Sequence, residues 1–170
     1  MRKSREDGFI EFAGGLTGHL FRSACLLTSG DTYLAEDLVQ ETLGRMYLKW
    51  GRISQVDNPA AYAQTVLVRT FLTYRRRRSS GERPVAEMPN TPLVTGDDPL
   101  LRLALLQALG QLPPKDRAVV VLRYWEDRSI EETADVMNTS SSAVRSRASR
   151  ALARLRAELG GSLAELIAAT

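Results

Sequence analysis

One cysteine, one histidine and 6% aromatic residues are what this 170-residue chain has least of, and each scarcity removes a class of protein. Cys25 alone cannot close an internal disulfide, and Cys25 with His19 falls short of the ligand set of a structural zinc site. Cys25 therefore reads as a small core residue. No stretch approaches the roughly 18 consecutive apolar residues of a membrane span. The opening MRKSREDGF is basic with no apolar segment behind it, so it lacks the form of a secretion signal. The expectation is a cytoplasmic protein with no membrane insertion. Strand chemistry is missing too, since no segment alternates Val, Ile and aromatic residues between hairpin turns. There is no G-x-x-x-x-G-K-[ST] loop to cradle phosphates and no acidic or histidine cluster fit for a metal. An enzyme is not expected, and neither a catalytic residue, a metal site nor a cofactor is assigned.

What is present is helical. With 44% hydrophobic and 25% charged residues the composition is that of an ordinary soluble protein. The periodicity predicts an all-α fold of two small helical domains, residues 1–78 and 100–170, joined by a flexible linker over 79–99. A first helix is expected from Asp7 to about Thr28, loosened by Gly14 and Gly15 and broken by SGD at 29–31. Asp31 suits the cap of a second helix with Leu34, Leu38, Leu43, Tyr47 and Trp50 on its apolar side, ended by Gly51. After a loop at 51–58, Pro59 opens a third helix to about Arg78. The linker SSGERPVAEMPNTPLVTGDDP holds four prolines and two glycines and has no apolar period. Beyond it LLRLALLQAL forms a helix to about Leu112, and Pro113 and Pro114 restart the chain into KDRAVVVLRYW. At the far end, Gly160 and Gly161 stop the last long helix, and SLAELIAAT at 162–170 carries a further capping box, Ser162 with Glu165.

The net charge of +3 hides a segregation. Residues 31–41 hold Asp31, Glu36, Asp37 and Glu41 with no basic residue, whereas 69–78 hold Arg69 and Arg75 to Arg78 with no acidic one. Separate acidic and basic surfaces imply separate partners, and two basic clusters in so small a chain point to an anionic polymer. The second cluster is SSSAVRSRASRALARLR, residues 140–156, with five arginines and no acid. Upstream, Ser129 followed by Glu132 is a capping box that starts a helix with Ile130, Ala134 and Met137 facing inward, and Asn138 and Thr139 make the turn. At about 100° per residue, Val144, Ala148, Ala151, Leu152 and Leu155 share one arc of the following helix. Ser141, Ser142, Arg145, Ser146, Ser149 and Arg150 share a neighbouring, outward arc, flanked by Arg147 and Arg154. This is a helix-turn-helix: the seam seats the helix, arginine reads guanine or phosphate, and serine is small enough to let it enter the groove.

These residues resemble a known family, the bacterial extracytoplasmic function sigma factors of the sigma-70 family. AEDLVQETLGRMYLKW resembles the polymerase-binding helix of region two, with Asp37, Gln40 and Glu41 at the matching positions. NPAAYAQTVLVRTFLTYRRRR resembles the helix that melts the promoter and reads its −10 element. LPPKDRAVVVLRYWEDRSIEETADVMNTSSSAVRSRASRALARLR follows the region four pattern almost without gaps, and VRTFLTYRRRRSSGERPV is similar to the sigma-E-like subfamily. Tyr62 and Thr70 stand where the family commonly has tryptophan and asparagine, and Ser142 and Ala143 where it has glycine and threonine.

The resemblance implies a specificity subunit of RNA polymerase. Asp37, Gln40 and Glu41 would meet the clamp of the polymerase core, and the second domain would sit on the flap. Asn58, Tyr62, Arg69, Arg75, Arg76, Arg77 and Arg78 would hold the −10 element and its phosphates, with Asp57 beside Asn58 near a flipped base. The outward arc of the last helix would take the −35 element of promoter DNA. An anti-sigma factor is implied as a further, restraining partner. The residues alone leave one alternative, an operator-binding helix-turn-helix regulator that never joins polymerase, which would need a dimerisation surface.

Overall fold

A computed structural model describes residues 2–78 and 98–161, and every regular element among them is a helix. The linker read at 79–99 lies, up to residue 97, outside the described residues, as does the tail at 162–170. Helix α1 spans Arg2–Leu27 and starts earlier than Asp7; Gly14 and Gly15 sit exposed within it without breaking it. Ser29 and Gly30, at φ 60° and 91°, end it in the left-handed region, and the Gly30 N–H returns to the Cys25 carbonyl at 2.8 Å. Asp31 then caps α2, Thr32–Leu48, its carboxylate accepting from the Leu34 N–H at 3.1 Å.

In α2 the buried residues are Ala35, Leu38, Val39, Thr42 and Met46, spaced as one helical stripe. Of the apolar side expected from sequence, Leu38 and Trp50 are buried, whereas Tyr47 is 42% exposed. Tyr47 stands one residue past the stripe that ends at Met46; after Lys49 the chain rewinds as the short helix α3, Trp50–Ile53, which includes Gly51. Trp50 packs on Phe9 and Phe12, with ring centroids at 5.5 and 4.8 Å. Helix α4, Pro59–Arg78, begins at the expected proline, and Asn58 Oδ1 accepts from the Ala61 N–H at 3.0 Å.

Asp98 caps α5, Pro99–Gly110, accepting from Leu100 and Leu101 N–H groups, so helix begins at the last residue assigned to the linker. Pro114 opens α6, Pro114–Val120, which widens into a π turn over Val121–Trp125. Helix α7, Ile130–Met137, has the expected capping box, Ser129 and Glu132 each bonding the other's N–H. Asn138, at φ 52°, closes it in the left-handed conformation that asparagine tolerates, and Ser140 caps α8, Ser141–Leu159. Gly160 ends α8 at φ 58°. No described helix is long and apolar enough to cross a membrane.

The two halves are packed against each other. One core runs from Leu20, Leu27, Leu67 and Phe71 of the first half into Ala118, Val121, Leu122 and Val136 of the second. Two smaller clusters complete the second half: Leu109, Leu112, Val120, Ala151 and Leu155, and Val119, Ala134 and Val144. The proline-rich linker at 79–99 suggests halves that move independently until they dock on a partner, whereas here they share one core. Sequence periodicity marks residues such as Leu122 and Val136 as apolar, but not that another half covers them.

Polar groups pin the same seam. Arg117, 4% exposed, donates to the Leu27 carbonyl of α1 at 2.7 Å and to the Leu109 and Leu112 carbonyls at 2.8 and 3.0 Å. Burial, with a smaller effect from Arg75, pushes its guanidinium down to about 10. Glu126 reaches α1, where Ser23 donates to it at 2.5 Å and His19 Nε2 lies 2.9 and 3.0 Å from its two oxygens. Arg128 donates to the Ala61 carbonyl and Gln64 Oε1 of α4 at 2.8 and 3.1 Å. Ser29 Oγ donates to the Leu106 carbonyl at 2.6 Å, and a Cβ on Gly110 would stand 2.5 Å from that oxygen, so only glycine allows the approach.

Candidate nucleic-acid interface

Helix α8 is built as its periodicity predicts. Val144 is buried against α6 and α7, Ala151 and Leu155 are buried against α5 and α6, and Ala148 and Leu152 are half-buried beside them. Burying a side chain the size of Val or Leu contributes roughly 1.5–3 kcal/mol, so the seam holds the helix firmly. With that side fixed, Ser142, Arg145, Ser146, Ser149 and Arg150 are exposed and Ser141 is half-buried. Ser140 Oγ accepts from the Ala143 N–H at 3.1 Å and so satisfies one of the first-turn donors of α8. Small Ala134 on α7 is buried where α8 crosses, as the turn requires.

Under α8 lies a residue that the sequence reading missed. Asp116, in the first turn of α6, has a side chain only 5% exposed, and its Oδ1 accepts from Arg147 at 2.8 Å and lies 3.7 Å from Arg150. Arg147, read from sequence as a flank, is thus anchored inward. No local signal marks Asp116: in the KDR triplet between Pro114 and the apolar run AVVVL, Lys115 is exposed while Asp116 and Arg117 are buried.

The basic residues of the first half are dispersed. Arg69, expected at phosphates, donates from Nε to the Val136 carbonyl and from a terminal nitrogen to the Asp135 carbonyl, both at 3.1 Å. It caps the C-terminus of α7, where cations are favoured by the helix dipole. Arg75 is half-buried and near enough to Arg117 to disfavour its charge, while Arg76, Arg77 and Arg78 are exposed at the end of α4. The Arg78 guanidinium lies 5.5 Å from the Tyr74 ring centroid and donates to its hydroxyl at 2.9 Å. Asn58 and Tyr62 are exposed at the start of the same helix, and Asp57 is exposed beside them. Thr70 faces the interior, its hydroxyl buried without a hydrogen-bond partner among the described residues.

The acidic set is coherent: Asp37, Gln40 and Glu41 are all exposed along one face of α2, opposite its buried stripe. Glu41 also pairs with Arg45 one turn on, at 2.7 Å. Exposed Tyr33 and Leu48, 68% and 78% accessible, lie on the same helix and add apolar area to that surface. Among the described residues no group of His, Cys, Asp and Glu is placed to hold a metal ion.

Comparison with known proteins finds two family matches in this arrangement. Residues 16–81 match sigma-70 region 2, and residues 102–155 match sigma-70 region 4. The chain is 38% identical over 152 residues to the RNA polymerase sigma-E factor of Streptomyces coelicolor, covering 89% of this chain and 85% of that protein. It is 33% identical to the extracytoplasmic function sigma factor SigG of Mycobacterium tuberculosis, over 78% of this chain and 44% of the relative. Among solved structures, sigma factor SigJ of Mycobacterium tuberculosis matches with TM-score 0.61 and 30% identity over 86% of this chain and 53% of its own. The sigma factor RpoE of Bartonella quintana, solved in complex with the anti-sigma factor NepR, has the same fold, with TM-score 0.71 at 24% identity over 91% of this chain and 98% of that one.

Proposed function

This chain belongs to the sigma-70 family of RNA polymerase sigma factors, in its extracytoplasmic function group, and from that premise we propose how its surfaces share the work of initiation. As a sigma factor it joins polymerase and directs promoter recognition, which sets it apart from an operator-binding regulator acting alone. Residues 1–78 form the half that binds core polymerase and the −10 element, and residues 100–170 the half that binds the −35 element, with 79–99 as the connection. Polymerase does the chemistry; this subunit supplies binding energy and has no active site of its own. It works in the cytoplasm, where polymerase is.

The observation that carries the assignment is α8: its apolar seam buried, its N-terminus capped, and Ser142, Arg145, Ser146, Ser149 and Arg150 exposed together. Inserted in the major groove, those side chains, with Ser141, meet base edges and phosphates of the −35 element. Asp37, Gln40 and Glu41 bind the polymerase clamp, and the second half seats on the flap. Asn58 and Tyr62 receive a base extracted from the −10 element, at a cost of a few kcal/mol that stacking and polar contacts must offset. Arg75 to Arg78 hold its phosphates. Arg69 joins them once α7 withdraws, because its guanidinium is occupied by the Asp135 and Val136 carbonyls while the halves are packed. An anti-sigma factor, as seen with the Bartonella relative, restrains this chain until it is needed.

The test is transcription from genomic DNA by core polymerase with and without the purified chain. Specific start sites sharing a −35 element should arise, and Arg145→Ala with Arg150→Ala should weaken their use. Replacing Asp37, Gln40 and Glu41 together should reduce capture of core polymerase, whereas neutralising Arg75 to Arg78 should impair DNA melting with capture intact. Identical behaviour of these last two variants in pull-down and melting assays would refute the division of labour.

A further inference from the structure

The buried carboxylate beneath the recognition helix has a consequence that its packing role alone does not explain. Arg147 and Arg150 are three residues apart, so they emerge on one side of α8, and both turn toward Asp116 Oδ1. Arg147, with a side chain 28% exposed, takes the short bond of 2.8 Å; Arg150, 63% exposed, stands at 3.7 Å with most of its surface still in solvent. Arg145 is exposed and has no such acid beside it among the described residues. Two arginines of the proposed reading surface thus differ in kind: a terminal guanidinium nitrogen of Arg150 stands within ion-pair distance of a fixed anion, and Arg145 has no such anion beside it among the described residues.

We propose that Asp116 is a positioning residue for promoter reading: through Arg147 and Arg150 it orders the recognition surface for bases while withholding positive charge from phosphates. The inference rests on the reading of α8 as the −35 helix. A guanidinium must give up side-chain freedom to present its planar fork to guanine, and a tether supplied before DNA arrives removes part of that cost. The same carboxylate offsets positive charge at the DNA face. Attraction to phosphate is indifferent to sequence and scales with the charge that releases counterions, so an anion at the root of the surface lowers indiscriminate binding. Asp116 thereby raises selectivity from both directions.

The experiment compares the full chain with its Asp116→Asn variant on a duplex carrying the −35 element used by the wild-type holoenzyme, on single-base variants of it, and on a scrambled duplex. With the carboxylate neutralised, discrimination between the best duplex and its single-base variants should fall roughly tenfold, within the range of one base contact. Affinity for the scrambled duplex should rise severalfold, and its salt dependence should steepen. Those opposite signs separate the proposal from a merely structural role, in which a loosened α8 would weaken both kinds of binding together; that joint loss, or unchanged discrimination, overturns it. Arg150→Ala tells the two layers apart. If it leaves the base preference untouched, the reading of Arg150 as a base contact fails; if it alters the preference while Asp116→Asn does not, only the positioning role fails. The double variant should discriminate no worse than Arg150→Ala alone. Should Asp116→Asn not fold, side-chain nitrogen relaxation on the unmodified protein gives an independent answer: the Arg150 Nε–H should be more ordered than that of Arg145, and equal mobility would overturn the proposal.

Discussion

Helices α4 and α8 are both basic and both follow a polar residue that accepts from a first-turn N–H, Asn58 and Ser140, yet they use their arginines in opposite ways. On α8 the apolar seam is covered mainly by α5, α6 and α7 from its own half, so Arg145 and Arg150 are left facing outward. On α4 the covering layer comes partly from the other half: Arg69 reaches the end of α7, and Ala61 and Gln64 accept from Arg128. A count of cations along a helix therefore does not locate a DNA-binding face. What decides is which neighbour completes the packing, because a guanidinium within reach of unpaired helix-end carbonyls will satisfy them.

The largest test of that contrast is to remove the seam on which Arg69 depends. Arg117→Met removes the guanidinium donor of the Leu27, Leu109 and Leu112 carbonyls and should lower stability by about 3 kcal/mol or more in urea unfolding. That loss is net of a relief. The folded pKa of Arg117, about 10, lies below its ordinary value, so burial of the charge carries a cost that is fully present below pH 10. A change under 1 kcal/mol would show that the polar seam is incidental.

Next comes the direct comparison. Arg69→Ala should cost about 1–3 kcal/mol and enlarge the free protein in X-ray scattering, whereas Arg145→Ala should stay within about 0.5 kcal/mol and leave its size unchanged. Equal effects would erase the distinction between the two helices.

A smaller effect probes the core of the first half. Burial above all, with Asp31 and Glu36 adding, pushes the Cys25 thiol from 9.0 up to about 12. The unfolded chain therefore loses this proton first, and stability should fall as pH rises above 9, by about 1.4 kcal/mol per unit at most. Cys25→Ala should flatten that decline, and the thiol in the native protein should resist alkylation.

The smallest effects are at the caps of the helix-turn-helix. Ser129→Ala should cost about 1 kcal/mol. The bonds from Ser129, backbone first, hold the Glu132 carboxyl below its usual 4.5, so the stability it adds is present above that pH and is lost as pH falls through the folded value. Ser140, whose partner position is Ala143, should show no such acid dependence when replaced by alanine.

Most of the helices and the α8 site were legible because their signals are local. The Asp31 cap, Pro59, the Ser129 and Glu132 box, the Asn138 turn and the 3.6-residue stripe of α8 each act over a few residues. The errors fell where a distant contact overrode such signals. Gly14 and Gly15 did not loosen α1, and Gly51 entered a helix because Trp50 had Phe9 and Phe12 to pack on. Asp116, Arg117 and Glu126 escaped notice because nothing local distinguishes a charge that will be buried from one that will be solvated.

The sequence by itself determined an all-helical chain, a capped helix-turn-helix with an outward basic arc, and an acidic face on α2, because periodicity and capping are properties of neighbours along the chain. Only the tertiary structure decided that α4 turns Arg69 toward α7, that Glu126 and Arg117 bridge the halves, and that Asp116 stands behind Arg147 and Arg150. Those pairings join residues far apart in the chain, and for Arg69 and Arg117 the partners are backbone carbonyls, which every residue carries and no side-chain pattern reveals.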